Sequence, residues 1–258
     1  MTSNRVFTAL LAATLALAGS VTASAVTYNL NTLKTVPIDT VDGRAYFTTD
    51  FTKTTGTGVF NPFLSLQNTG EESGFNISTG VLDTKQEGQY TRTQRVSDLQ
   101  TVVVNGSSYY SFLLDVNESN SASGSKISID SIKIYTSKFL ISSLTSLQNS
   151  GTLQFDIDSA QDNTLLYDDF NSGSGQGDVA FFIPTSALAG VASTDYFYLY
   201  EKLGDTGGLF STDSGYEKTA QGPNLTFVPI PETNALIPIL AVLGVVVAGP
   251  FIRRCFNP

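Results

Sequence analysis

The sequence predicts an all-β protein: a β-sandwich or jelly-roll-like ectodomain with a single C-terminal transmembrane helix. Three observations carry this expectation. Alternating apolar and polar runs recur at short intervals, separated by Gly, Asn, Asp and Ser, the pattern of stacked antiparallel sheets. Polarity comes from hydroxyls rather than charges, with 28 Ser and 31 Thr against 14% charged residues, where about 25% is usual. One long uncharged apolar run, Ala235 to Ile252, lies near the C-terminus.

Strands are expected at Tyr28 to Leu33, Arg44 to Thr49, Phe63 to Gln67, Tyr90 to Val96 and Leu153 to Asp158. Thr101 to Val104 and Ser108 to Val116 flank Asn105-Gly106, which supplies the two positive φ values of a type I′ hairpin turn. Lys126 to Tyr135 changes phase: Ile127 and Ile129 share one parity, Ile132 and Ile134 the other. Either both faces are buried, or a β-bulge at Asp130-Ser131 restores the inward direction; the polar switch point favours the bulge. Thr185 to Ala192 reads as two helical turns capped by Thr185 or Ser186, while Thr145 to Ser150 is ambiguous. Ser65-Leu66-Gln67-Asn68-Thr69-Gly70 returns as Ser146-Leu147-Gln148-Asn149-Ser150-Gly151. The flanks do not follow, which weighs against a structural repeat. Any division of the ectodomain would fall near 136–149.

The two ends read as addresses. Residues 1–25 carry Arg5, an uncharged run rich in Ala, Leu and Val, and Ala23-Ser24-Ala25 as a small-x-small cleavage site, the pattern of a secretory signal peptide. The mature chain is expected to begin at Val26. At the other end, residues 229–258 hold the 235–252 run, which as a helix spans about 27 Å. Arg253 and Arg254 follow it, so the positive-inside rule puts the C-terminus in the cytoplasm and residues 26–228 outside.

Val228-Pro229-Ile230-Pro231-Glu232-Thr233, the apolar run and the terminal arginines together resemble the PEP-CTERM sorting signal of Gram-negative and cyanobacterial exoproteins. Pro231 and Glu232 match the family's Pro-Glu, and Thr233 stands where a second Pro is usual. The resemblance implies Sec-type export, membrane insertion through the C-terminal helix, and processing by an exosortase-like membrane protease. Asp50-Phe51-Thr52, Asn61 to Asn68, Phe112 to Glu118 and Asn171 to Asp178 resemble a group of cyanobacterial PEP-CTERM ectodomains. This supports location and fold class, and brings no activity with it.

Composition excludes several machines. Without His there is no Ser-His-Asp triad and no histidine metal ligand. One Cys permits no intrachain disulfide and no thiolate-held cluster. Net charge is −9 for the chain. It is −11 for 26–228, where 11 basic residues face 22 acidic ones, so nucleic acid is not an expected partner. No catalytic residues are assigned.

Three acidic clusters offer oxygens for structural calcium: Asp115 with Asn117 and Glu118, Asp156 with Asp158, and Asp168-Asp169 leading to Asp178. The competing reading is Asx-turn chemistry at loop ends. Tyr196, Tyr198 and Tyr200 share one strand face and offer a stripe for stacking sugar rings; the plainer reading is cross-strand packing. The resulting expectation is an exported, non-enzymatic surface or matrix protein of structural or adhesive role. The alternative is a calcium-assisted glycan-binding module with exopolysaccharide as partner.

Overall fold

The computed structural model describes residues 25–53, 60–85, 88–121, 124–170, 177–213 and 215–228. The first strands in chain order are β1 (Val26–Asn29), β2 (Thr35–Thr40), β3 (Gly43–Thr48), β4 (Thr52–Lys53), β5 (Pro62–Leu66), β6 (Thr69–Gly70), β7 (Glu72–Phe75), β8 (Gln94–Arg95) and β9 (Thr101–Val104). They continue as β10 (Ser107–Asp115), β11 (Lys126–Ser137), β12 (Thr152–Asp156), β13 (Asn163–Asp168), β14 (Val179–Pro184), β15 (Tyr196–Leu203), β16 (Thr212–Asp213), β17 (Glu217–Gln221) and β18 (Leu225–Thr226). Helices α1 (Leu30–Leu33) and α2 (Leu144–Ser150) are short.

Two seven-stranded sheets face each other. One has the order β1-β13-β11-β15-β7, with β12 on β11 and β8 on β15. The other runs β2-β3-β14-β10-β17-β5, with β9 on β10. Period-2 alternation turns Ile127, Ile132, Leu165, Phe197 and Leu199 of the first sheet toward Phe47, Leu64, Phe112 and Phe181 of the second. The Phe112 ring stacks on Phe181 at 5.0 Å and on Phe197 of the opposite sheet at 5.9 Å. This is the all-β sandwich that the alternation predicts. Both sheets draw strands from either side of 136–149.

The outer faces are covered as well, which explains the runs that do not alternate. All six residues of β14 are buried: Val179, Phe181 and Ile183 face inward, while Ala180 and Phe182 meet Leu225 and Phe227 on the outer face. On the other sheet, Phe75 and Tyr198 lie beneath Ile141 and Leu147, the latter on α2. That helix starts at Ser143, whose hydroxyl accepts the Ser146 N–H at 3.1 Å.

The hairpin forms as expected, with Ser107 opposite Val104 and φ of 49° at Asn105 and 80° at Gly106. The bulge is also present. The β11–β15 register shifts between Ile129 and Ser131, and Ile127, Ile129, Ile132 and Ile134 all enter the central core. Asp130, at the shift, accepts the Thr206 hydroxyl and the Asp205 N–H.

Other expectations are corrected. The first strand stops at Asn29, because its side chain accepts the Thr32 N–H and caps α1. Of Tyr90 to Val96 only Gln94–Arg95 pairs as strand. Asp98 accepts the Arg95 N–H and starts a 3₁₀ turn at Val96–Asp98. The expected two-turn helix at Thr185 to Ala192 is a single 3₁₀ turn, Thr185–Leu188. Its proposed caps are engaged elsewhere: the Thr185 hydroxyl donates to the Ser108 carbonyl and that of Ser186 to the Asp42 carbonyl. The duplicated hexapeptide is no repeat, since Ser65 and Leu66 end strand β5 while Ser146 to Ser150 form α2.

Ala23, Pro231, Glu232, Arg253, Arg254 and the 235–252 run lie outside the described residues. Among the described residues no helix is long and apolar enough to cross a membrane.

Candidate functional site

The sequence-predicted acidic residues separate in space into structural roles and one convergent group. Asp156 accepts a salt bridge from Lys133 at 2.7 Å and the Asp158 N–H at 2.9 Å. Asp158 accepts the Asn163 N–H at 3.0 Å. These are Asx-type loop closures. Burial lifts the Asp158 carboxyl to about 6, opposed by the Asn163 N–H. Asp115 is fully buried, 3.6 Å from Lys218, and accepts the Gly177 N–H. Asp178 accepts the Val116 N–H, and its own N–H donates to the Leu114 carbonyl. Asp115 and Asp178 thereby fasten the 177–178 segment to β10. Asn117 donates from its side chain to the Tyr216 carbonyl at 3.0 Å.

Glu118 belongs to a different neighbourhood, which sequence reasoning missed. Glu72 on β7 and Glu217 on β17 come from opposite sheets, and both point between them. Glu72 stands opposite Leu203 and Glu217 opposite Leu66, two leucines of the central core. The acids therefore close one end of the apolar interior. Glu72 lies within hydrogen-bond reach of Glu217, as Glu118 does of Asp213. Glu72, Glu118 and Glu217 are 0%, 7% and 1% exposed.

Each of the four carboxylates is held by a backbone donor. Asn68 N–H donates to Glu72 at 2.9 Å, and Asp213 N–H to Glu118 at 2.9 Å. Asn117 N–H donates to Glu217 at 3.4 Å, and Ser119 N–H to Asp213 at 2.8 Å. Among the described residues one oxygen of each buried glutamate meets no hydrogen-bond donor: Glu72 Oε1, Glu118 Oε1 and Glu217 Oε2. Burial, then the facing Glu217 charge, pushes the Glu72 carboxyl far up. Burial also raises Glu217. Burial and then the Asp213 contact bring Glu118 to about 9. Among the described residues no three acids are grouped as a ready-made metal centre; these four meet as two facing pairs. The available signal was parity: Glu217 and Thr219 alternate inward on one strand, and an inward Glu is costly unless paired or liganded.

The tyrosine stripe is mostly a packing device. Tyr198 is fully buried; its hydroxyl accepts the Ile141 N–H at 2.8 Å and donates to the Phe139 carbonyl. Sugar cannot reach it. Tyr196 is half-buried beneath Arg95, whose guanidinium sits 4.3 Å from the ring centroid. Tyr200 is half-buried against the same outer cluster.

A polar groove of about 380 Å³ lies elsewhere, lined by Asn31, Lys34, Phe51, Asp168, Phe170 and Asp178 among others. Asn31 and Asp168 fix one wall: Asn31 Nδ2 donates to the Asp168 carbonyl, and the Asp168 N–H donates back to Asn31 Oδ1. Burial pushes the Asp168 carboxyl up, but the Ser125 hydroxyl, the Phe170 N–H and Lys126 outweigh it and keep it below its ordinary value. The Phe170 ring is 51% exposed beside it.

Comparison with protein-family models, curated proteins and solved structures gives no match. The chemistry of these two places therefore stands on geometry alone. The buried acids suit a proton or a hard cation, and the groove suits a polar ligand with one apolar face.

Proposed function

We propose that the chain is an exported, non-enzymatic protein of the cell surface or extracellular matrix. The carrying observation is the position of the described strands relative to the two expected addresses. Strand β1 starts at Val26, the first residue after the expected cleavage site, and Val26 N–H donates to the Asp162 carbonyl at 2.7 Å. Ala25 is exposed. At the other end Phe227 is packed into the outer cluster while Val228 is 85% exposed. Pro229 and the PEP-CTERM-like segment follow at once. Among the described residues, the strands of both sheets lie between Val26 and Gln221, inside the two expected addresses; the proposal expects the sandwich to persist once both addresses are removed.

In this reading the Sec-type machinery exports the chain and a signal peptidase cuts after Ala25. The 235–252 helix then holds the chain in the membrane until an exosortase-like protease acts near Pro231-Glu232. The test is the intact mass of the mature protein from native cells, measured on membrane and extracellular fractions. A mass lacking residues 1–25 and the tail is expected. A cytosolic protein with both ends intact overturns the proposal.

A second reading, glycan binding, is favoured by the 380 Å³ groove, where the exposed Phe170 ring lies beside Asn31, Lys34 and Asp168. An aromatic face beside hydrogen-bonding groups is suited to a sugar ring. A glycan array probed with wild type and Phe170→Ala decides it: binding lost in the variant supports the reading, and no binding by the wild type removes it.

A further inference from the structure

We propose that Glu72, Glu118, Asp213 and Glu217 form a divalent-cation site of the calcium class, which ties the two sheets together at one end of the sandwich. The argument starts from the free oxygens. Glu72 Oε1, Glu118 Oε1 and Glu217 Oε2 are buried and meet no donor among the described residues. A buried carboxylate left unsatisfied is costly, and three at one end of one core call for a common partner.

The other oxygens indicate the charge state. All four carboxylates accept a backbone N–H, from Asn68, Asp213, Asn117 and Ser119. Backbone donors stabilise the ionised form and so oppose the burial that raises Glu72, Glu118 and Glu217; a bound cation would complete that compensation. The charged side chains acting on Glu72 and Glu118 are other carboxylates. The nearby lysines are engaged elsewhere: Lys218 faces Asp115, and Lys85 lies over the rings of Tyr90 and Tyr216. An external cation supplies what the described residues lack.

Calcium fits better than magnesium. It accepts six to eight oxygens in irregular geometry, whereas magnesium keeps several waters and demands an octahedron. The donors come from β7, the segment after β10, β16 and β17, so an ion there links strands of both sheets. Closing the two facing pairs, Glu72–Glu217 and Glu118–Asp213, onto one ion is the movement that binding requires. The proposal does not depend on where the protein is exported.

The competing outcome is proton sharing, one proton within each pair and no metal. Thermal unfolding of the detergent-purified full-length chain in CaCl₂ and in chelator separates the two, with bound calcium measured by elemental analysis. The proposal expects one equivalent of calcium and a melting temperature at least about 5 °C higher than in chelator. Glu72→Gln and Glu217→Gln should abolish that shift while melting no lower than wild type in chelator. Asp158→Asn, at the other acidic loop, should keep the shift. Coincident wild-type curves with no bound metal overturn the proposal, whatever the variants do. So does a calcium shift that survives Glu72→Gln and Glu217→Gln.

Discussion

Glu201 of β15 and Thr219 of β17 meet across the sandwich: the Thr219 hydroxyl donates a 2.7 Å hydrogen bond to the Glu201 carboxylate. The two residues are 1% and 0% exposed. Glu201 shares the inward parity of Phe197, Leu199 and Leu203, so a carboxyl stands in the row that otherwise builds the core.

Burial lifts Glu201 from its ordinary 4.5 to about 7, with the Thr219 bond acting the other way. A raised acid favours folding when protonated. Its contribution is complete below the unfolded value and is lost as pH rises through about 7. The loss amounts to roughly 3 kcal/mol between pH 4 and pH 9. Glu201→Gln removes it. The variant should match wild type near pH 4 and exceed it near pH 9 in urea unfolding. The raised Glu72, Glu118 and Glu217 titrate in both proteins and cancel in the difference. An equal stability gap at the two pH values would refute the assignment.

Phe112 carries the contact between the sheets through its rings at 5.0 Å to Phe181 and 5.9 Å to Phe197. Phe112→Ala should cost about 3–5 kcal/mol, the range for a buried aromatic replaced by a methyl. Phe139 is 78% exposed, and Phe139→Ala should stay within about 0.5 kcal/mol. Denaturation midpoints of the two variants check the contrast.

Gly106 and Gly88 test the hairpin. Among the described residues a Cβ at either position meets nothing within 4 Å, but of the two only Gly106 has a positive φ, 80°. Gly106→Ala should therefore destabilise by about 1–2 kcal/mol. Gly88→Ala should be neutral or stabilise by about 0.4–1 kcal/mol through the unfolded chain. Similar melting shifts in both would show that the turn is not strained by a side chain.

Tyr198 satisfies the Ile141 N–H at 2.8 Å beneath the α2 cover. Tyr198→Phe keeps the ring and strips the acceptor, leaving a buried donor at a cost of about 1–3 kcal/mol. Hydrogen exchange at Ile141 should accelerate relative to the β11 amides. Unchanged protection would mean that the Tyr198 hydroxyl does not hold the segment.

The duplicated hexapeptide shows what local sequence leaves undecided. Leu66 ends a strand opposite Glu217, and Leu147 sits in a helix above Tyr198. Intrinsic preferences of six residues differ by only a few tenths of a kcal/mol each. Burying one leucine contributes about 1.5–3 kcal/mol, so the neighbouring surface chooses the conformation.

The sequence by itself determined the features that depend on short-range physics. Alternation set the two-sheet class, Asn105-Gly106 set the hairpin through its positive φ values, and the parity switch at Asp130-Ser131 announced the bulge. Only the tertiary structure decided which acids meet. Glu72, Glu118, Asp213 and Glu217 are scattered along the chain and share no motif. They are brought together because β7 and β17 lie in opposite sheets and turn the same parity inward. Likewise Asp156 and Asp158, which look like ligands in sequence, are neutralised by a lysine and by backbone donors from their own loop. Side-chain chemistry is written residue by residue, but charge compensation depends on distance in space, and the register of two sheets fixes that distance.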